Sequence, residues 1–328
     1  MHLDSNNTAE LEGYLKGQNW LTDQETLVSA TKPGEGNMNY ALRIQTSAGR
    51  SFIIKQARAY VEKYPSIAAP TERAVIEGNF YRKIQAVPQL RAFMPQLIGT
   101  DAENSILAVE DLGQANDYTY LYQPNQRIET TEVADLARYA TELHRAFADG
   151  PNAAFANHAM RALNHEHIFN YPFRDDTGFD LNTVQDGLRA VALPYQQDAA
   201  LRQVVQDLGK IYLQDGRHLL HGDFYFGSFL KTKGSIKIID PEFCFYGPAE
   251  FDLGVLIAHL KMAHQTNEII YALKTHYETP AGFSEALLNQ FTGVEIMRRL
   301  IGLAQLPLQL DLEQKKELLA QARGLILG

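Results

Sequence analysis

Cysteine is almost missing from this chain. Cys244 is the only one in 328 residues, so no internal disulfide can form. Its neighbours Phe243, Phe245 and Tyr246 make a packed free thiol the expectation rather than a nucleophile or a metal ligand. Long apolar runs are also missing: no stretch approaches the roughly 18 residues of a membrane span. The opening MHLDSNNTAE has neither the basic start nor the apolar core of a secretory leader, which makes a cytoplasmic protein with no membrane partner the expectation. Basic residues are in the minority, 30 Lys and Arg against 39 Asp and Glu, for a formal charge of −9. That balance argues against nucleic acid as a partner, because general binding needs a dense basic face. It leaves room for a nucleotide, whose phosphates are held locally. Repeats and low-complexity tracts are absent too, so organisation has to be read from changes in periodicity.

What is present suffices for a full core, with 45% hydrophobic residues and a length that suggests two lobes. The periodicity changes near residue 112. Before it, Glu25–Ala30, Tyr40–Gln45, Ser51–Ala57 and Ser105–Glu110 read as strands, with a helix over about Pro70–Gln85. After it, helical spacing covers Thr131–Phe147, Asp180–Asp215 with an interruption near Pro194, Phe251–Met262, Phe283–Gln305 and Leu312–Leu325. The expectation is an α+β chain with a β-rich N-terminal lobe over 1–112, a larger helical lobe over 113–328, and a cleft between them.

The richest segment runs from His221 to Gly254. Asp223 sits in His221-Gly222-Asp223, Ser228 follows, and Asp240 with Glu242 ends the apolar run Ile236–Ile239. Two short strands, Ser228–Leu230 and Ser235–Ile239, around a Lys233-Gly234 turn would bring Asp223 and Asp240 to one end of a hairpin, though 17 residues separate them. The proline after Asp240 favours extended backbone there, ending the strand with its side chain outward. One carboxylate can then orient a substrate hydroxyl while the others hold Mg²⁺ on the phosphates of ATP. That is the chemistry expected of a kinase.

Two further features fit a nucleotide. Between two strand patterns lies Lys32-Pro33-Gly34-Glu35-Gly36-Asn37-Met38-Asn39, where Gly34, Gly36 and Asn37 would let backbone N–H groups approach phosphate oxygens. A solvated hairpin loop would look the same, and no Walker-type Gly-Lys-Ser/Thr ends it. Lys55 follows Phe52-Ile53-Ile54, while Glu77 lies at the centre of the helical stripe Phe80, Tyr81 and Ile84. A carboxylate on an apolar face needs compensation. Lys55 can supply it and also contact phosphate, with Glu72 as a competing partner for the lysine.

The ordered series Asp240-Pro241-Glu242-Phe243-Cys244-Phe245-Tyr246-Gly247-Pro248, followed by Phe251-Asp252-Leu253-Gly254, resembles the aminoglycoside phosphotransferase and choline kinase superfamily, closest to its methylthioribose kinase branch. The resemblance implies a bilobal protein-kinase-like fold and an ATP- and Mg²⁺-dependent transfer to an alcohol. It implies Asp223 as the catalytic base, Asp240 as principal metal ligand, and Ser228 with Glu242 as secondary contacts, Ser228 standing where most relatives carry Asn. Lys55 and Glu77 would position phosphates, and the strand Ile106–Leu112 would offer Val109, Glu110 and Leu112 to adenine. His221 and Asp252 would brace the catalytic loop. Glu295-Ile296-Met297-Arg298-Arg299-Leu300-Ile301-Gly302 resembles a segment in which Arg298 and Arg299 contact sugar hydroxyls and the transferred phosphate. Asn164-His165-Glu166-His167-Ile168-Phe169 resembles a further segment of that branch, and its two histidines have no evident third partner for a metal site.

One departure is local: methylthioribose kinases carry Leu-His-Thr after the catalytic Asp, and Phe224-Tyr225-Phe226 stands here. Tyr225 and Phe226 are therefore expected at the mouth of an acceptor pocket with the two arginines. The expected acceptor is a sugar such as methylthioribose or a related compound. The alternatives are an aminoglycoside, choline or fructosamine-type kinase acting on a cation, or a nucleotide-binding pseudokinase. A homodimer is left open as the assembly.

Overall fold

The structure, a computed structural model, describes residues 1–34 and 38–328. Gly36 and Asn37, expected at the phosphates, lie outside the described residues. The chain divides into two compact units, Met1–Ala115 with Lys237–Cys244, and Asn116–Ile236 with Phe245–Gly328.

The first unit is built on helix α1 (Thr8–Gly17), strands β1 (Leu27–Thr31), β2 (Tyr40–Thr46) and β3 (Ser51–Gln56), helix α2 (Arg73–Ile84), and strands β4 (Leu97–Asp101) and β5 (Ile106–Glu110). Among the described residues the strands form an antiparallel five-stranded sheet in the order β1-β2-β3-β5-β4. Alternation explains β2: Tyr40, Leu42 and Ile44 point inward onto Leu11, Leu15 and Trp20, while Arg43 and Gln45 point away. Strand β5 lies between two others and buries Ile106 through Val109 on both faces. Helix α2 lies so close to β4 that a Cβ on Gly78 would stand 2.6 Å from the Thr100 methyl. Only glycine fits that contact.

The second unit contains helices α3 (Thr130–Ala146), α4 (His158–His165), α5 (Leu188–Gln196) and α6 (Ala199–Leu213), the short strands β6 (His218–Leu220) and β7 (Phe229–Lys231), strand β8 (Ile236–Ile238), which runs on into the first unit, strand β9 (Phe245–Gly247), and helices α7 (Glu250–Met262), α8 (Asn267–His276), α9 (Glu285–Ile301) and α10 (Leu312–Leu327). Helix α9 packs on both α7 and α10. Glycines allow the close approach: a Cβ on Gly254 would meet Phe291 Cβ at 2.9 Å, and one on Gly293 would meet the Ala322 carbonyl at 2.6 Å.

The expected interruption near Pro194 falls just after it. Pro194 continues α5 to Gln196, and Asp198 opens α6 by accepting the Leu201 N–H at 3.0 Å. No helix among the described residues is long and apolar enough to cross a membrane.

Candidate functional site

In the first unit, strand β3 delivers Lys55 and helix α2 delivers Glu77. The Lys55 Nζ donates to Glu77 Oε1 at 3.0 Å and also to Asp240 Oδ1. Glu77, rather than Glu72, is therefore the helical partner, fully buried beside Phe80, Tyr81 and Ile84. Asp240 corrects one expectation. Its backbone is left-handed, φ 62° and ψ 51°, and not extended. Proline disfavours the right-handed region for the residue before it, and Asp is among the few side chains that tolerate the left-handed one. The turn leads from β8 into the short helical turn Pro241–Phe243.

The Asp240 carboxylate is 41% exposed, so oxygen remains available beyond the lysine contact. That is a hard donor of the kind Mg²⁺ takes, and Mg²⁺ at a nucleotide is commonly held by one or two carboxylates together with phosphate oxygens. The residues fit the ion on that basis. Among the described residues, no cluster of three or more His, Cys, Asp or Glu forms a site made by protein alone.

Glu242 is not placed as an open ligand. It is buried, its Oε2 accepting the Asn39 Nδ2–H at 3.0 Å with the Arg73 Nε at 3.3 Å. Burial raises its pKa, and the charge of Glu77 adds to this while Arg73 and Lys55 oppose it. Where a metal contact was expected, the carboxylate is engaged inside the unit. Of the expected adenine contacts, Val109 is buried in β5 and the Glu110 N–H is given to the Gln96 carbonyl at 2.8 Å, so Glu110 offers no free donor there. Leu112 lies beyond the strand, and Gly34 is exposed.

In the second unit, the loop after β6 is pinned by Asp252, whose Oδ2 and Oδ1 accept the N–H groups of His221 at 2.7 Å and Gly222 at 2.9 Å. Asp252 lies in the first turn of α7 yet spends its oxygens on this loop. Gly222 supplies the positive φ of 82° that the bend requires. His221 Nδ1 faces the Asp223 N–H at 3.4 Å, and Ser228 Oγ donates to the Asp223 carbonyl at 2.8 Å. The Asp223 backbone is thus held from both sides. Burial pushes its carboxyl pKa up to about 6, with the charges of Arg299 and Arg298 pulling it down.

The two arginines on α9 do not face solvent. Both are buried, sharing the carboxylate of Glu295: Arg298 Nη1 at 3.1 Å and Arg299 Nε at 2.6 Å. Arg299 Nη2 lies 3.7 Å from Asp223 Oδ1, and its guanidinium covers the Tyr225 ring at 5.0 Å. Arg298 turns to Asn164 Oδ1 at 3.2 Å. Behind Glu295 stands His259, its Nε2 at 3.1 Å from the carboxylate and its Nδ1 at 2.5 Å from the Tyr122 hydroxyl. Burial holds the His259 pKa down to about 4, so the ring is neutral near pH 7. Nε2 then donates to Glu295 and Nδ1 accepts from Tyr122.

Phe226 is a second correction. Its ring is fully buried against Tyr122 and His259, so it packs behind the site instead of lining a mouth. Tyr225 is partly exposed. Glu295, His259, Tyr122 and Arg73 carry much of this architecture without having been assigned roles from the sequence. Glu295 had a readable signal, since its i+3 and i+4 positions are the two arginines.

The profile of the phosphotransferase enzyme family matches residues 29–288. A methylthioribose kinase of Exiguobacterium sibiricum is 30% identical, the match covering 88% of this chain and 82% of that protein. A methylthioribose kinase from a Geobacillus species is 28% identical over 92% of this chain and 85% of its own. The choline kinase LicA of Streptococcus pneumoniae shares the fold, with TM-score 0.54, 14% identity, and 97% of this chain and 99% of that one covered. So does spectinomycin phosphotransferase APH(9)-Ia, solved with ADP and spectinomycin, at TM-score 0.52, 13% identity, and 98% and 97% covered. The chain belongs to the phosphotransferase enzyme family and is a small-molecule kinase that transfers a phosphoryl group to a hydroxyl.

Proposed function

We propose that this kinase uses ATP with Mg²⁺ to phosphorylate a neutral sugar, methylthioribose or a close relative of it. The observation that carries the reading is the guanidinium of Arg299, held by Glu295 at 2.6 Å and standing 3.7 Å from Asp223. A positive group fixed beside the hydroxyl-orienting carboxylate suits a neutral polyol receiving a phosphoryl group. It would repel an amine. The two methylthioribose kinases with matches along most of this chain support the same acceptor class.

In this reading Asp223, mostly ionised near pH 7, accepts the proton of the acceptor hydroxyl and aligns its oxygen. Arg299 neutralises charge on the transferred group, and Arg298, oriented by Asn164, holds sugar hydroxyls. Lys55, fixed by Glu77, positions the phosphates of ATP. Asp240 would hold Mg²⁺, which when bound supplies positive charge to those phosphates. Alignment and charge neutralisation are the whole of the catalysis, and no covalent enzyme intermediate is needed.

Tyr225 marks the point where this site departs from the methylthioribose kinase pattern: its ring, beneath Arg299, adds stacking surface where that branch carries His. The test is ATP consumption screened with Mg²⁺ across methylthioribose, other pentoses, aminoglycosides and choline-like amines. Turnover with the sugars and none with the amines is expected. Turnover confined to amines would overturn the assignment, and no turnover with any acceptor, nucleotide binding intact, would favour a pseudokinase.

A further inference from the structure

Arg73 has no part in the chemistry described so far, yet its side chain is tied at several points within the first unit. It is fully buried, and its guanidinium reaches Asn39 Oδ1 at 2.9 Å and the carbonyls of Pro70 at 2.7 Å, Arg58 at 2.8 Å, Met38 at 3.0 Å and Tyr60 at 3.5 Å. Its Nε is 3.3 Å from Glu242 Oε2. Met38 and Asn39 close the segment that begins at Lys32, and Glu242 lies two residues after Asp240. One guanidinium therefore grips both sides of the nucleotide set.

The helix makes the arrangement a double one. Arg73 and Glu77 are four residues apart, so they share a face of α2. Glu77 reaches Asp240 through Lys55, and Arg73 reaches Glu242 directly. Asn39 joins them, accepting from Arg73 and donating to Glu242. An ordinary helix-terminal arginine would need none of this, since the carbonyls of Arg58 and Pro70 alone would anchor it.

We propose that Arg73 is a positioning residue for the nucleotide: acting through Asn39 and Glu242, it holds Met38 and Asn39 and the turn that carries Asp240 in one register. The inference rests on the nucleotide role given above to Lys55 and Asp240. Lysine cannot replace it, because a single ammonium lacks the planar fork that serves several acceptors at once.

The experiment is calorimetric titration of Mg²⁺ with a non-hydrolysable ATP analogue into the full chain, alongside thermal melts and the acceptor KM. Arg73→Lys and Asn39→Ala are each expected to weaken analogue binding about tenfold or more, the loss of a hydrogen bond involving a charged group, with the acceptor KM unchanged. The double variant should lose no more than the worse single one, because both act along one path. If Arg73→Lys does not fold, Asn39→Ala carries the test, since it leaves the arginine's bonds to Arg58 and Pro70 in place. Wild-type affinity in the folded variants, or strictly additive losses, would overturn the proposal. Absence of analogue binding by the wild-type chain would overturn the nucleotide reading and this proposal with it. Intact wild-type binding with unaffected variants would remove the role of Arg73 alone.

Discussion

Replacing Glu295 with Gln should destabilise the second unit strongly, because it removes a buried shared counter-ion. Glu295 is buried and is the shared counter-ion of Arg298 and Arg299, whose side chains are 9% and 7% exposed. Breaking a buried ion pair by deleting one partner costs about 3–5 kcal/mol, because the remaining charge is stranded. Two charges are stranded here, but the amide oxygen of Gln still accepts one hydrogen bond and Asp223 lies 3.7 Å from Arg299. The lower end, about 3 kcal/mol, is therefore expected. For a unit of this size that is a fall in Tm of roughly 6–12 °C. Thermal unfolding followed by circular dichroism reads it directly. Adding Arg298→Met should recover part of the loss, since the second substitution removes one of the uncompensated cations. A Tm within about 2 °C of wild type for Glu295→Gln, or a double variant whose losses merely add, would refute the view of Glu295 as the arginines' counter-ion.

Asp223→Asn should bind nucleotide normally while turnover falls on the order of 10²-fold or more; near-normal turnover with a verified acceptor would move the role elsewhere. The carboxyl of Asp223, raised to about 6, predicts an acid limb of kcat/KM near that pH, and Arg299→Gln should shift the limb upward because the guanidinium lowers that value. Stability follows the opposite sense. A carboxyl raised on folding destabilises the folded chain above its folded value, and that cost is relieved as pH drops from about 6 towards ~4. A pH–rate profile and melts across the same range check both signs. Asp240→Ala should abolish Mg²⁺-dependent nucleotide binding with the fold retained, and unchanged affinity would remove Asp240 from the metal site. Phe226→Ala should destabilise by about 3–5 kcal/mol through an unfilled cavity, leaving the preference among acceptors unaltered; a changed preference with normal stability would put its ring back in the pocket.

The alternation of Tyr40, Leu42 and Ile44 and the helical stripe around Glu77 were legible because a local period reports burial directly. The pairing of Lys55 with Glu77 could be anticipated from charge alone, since a carboxylate amid Phe80, Tyr81 and Ile84 requires a cation. Its choice over Glu72 could not, for that depends on how α2 is turned against β3. The backbone of Asp240 misled for a similar reason. The rule for residues before proline removes one region of conformational space but does not choose among those left, and the turn into Pro241 makes the choice. Adjacency in sequence groups Tyr225 with Phe226, whereas the turn after Tyr225 sends one ring beneath Arg299 and the next into the core. The engagement of Glu242 by Arg73 and Asn39 joins residues more than 160 positions apart and leaves no local trace.

The path of the chain between the two units bears on how such a kinase can be inherited. The backbone leaves the first unit after Ala115, returns at Lys237 and departs again after Cys244. The returning stretch is stitched in by the Ile238 N–H on the Phe93 carbonyl at 2.7 Å and carries Asp240 and Glu242. A gene fragment ending at Ala115 would encode Lys55 and Arg73 without Asp240 and Glu242, the carboxylates they meet. The set Lys55, Glu77 and Asp240 is therefore not a cassette that recombination can move in one piece. On the nucleotide role proposed for that set, a transfer that preserves it must carry both stretches of the chain together.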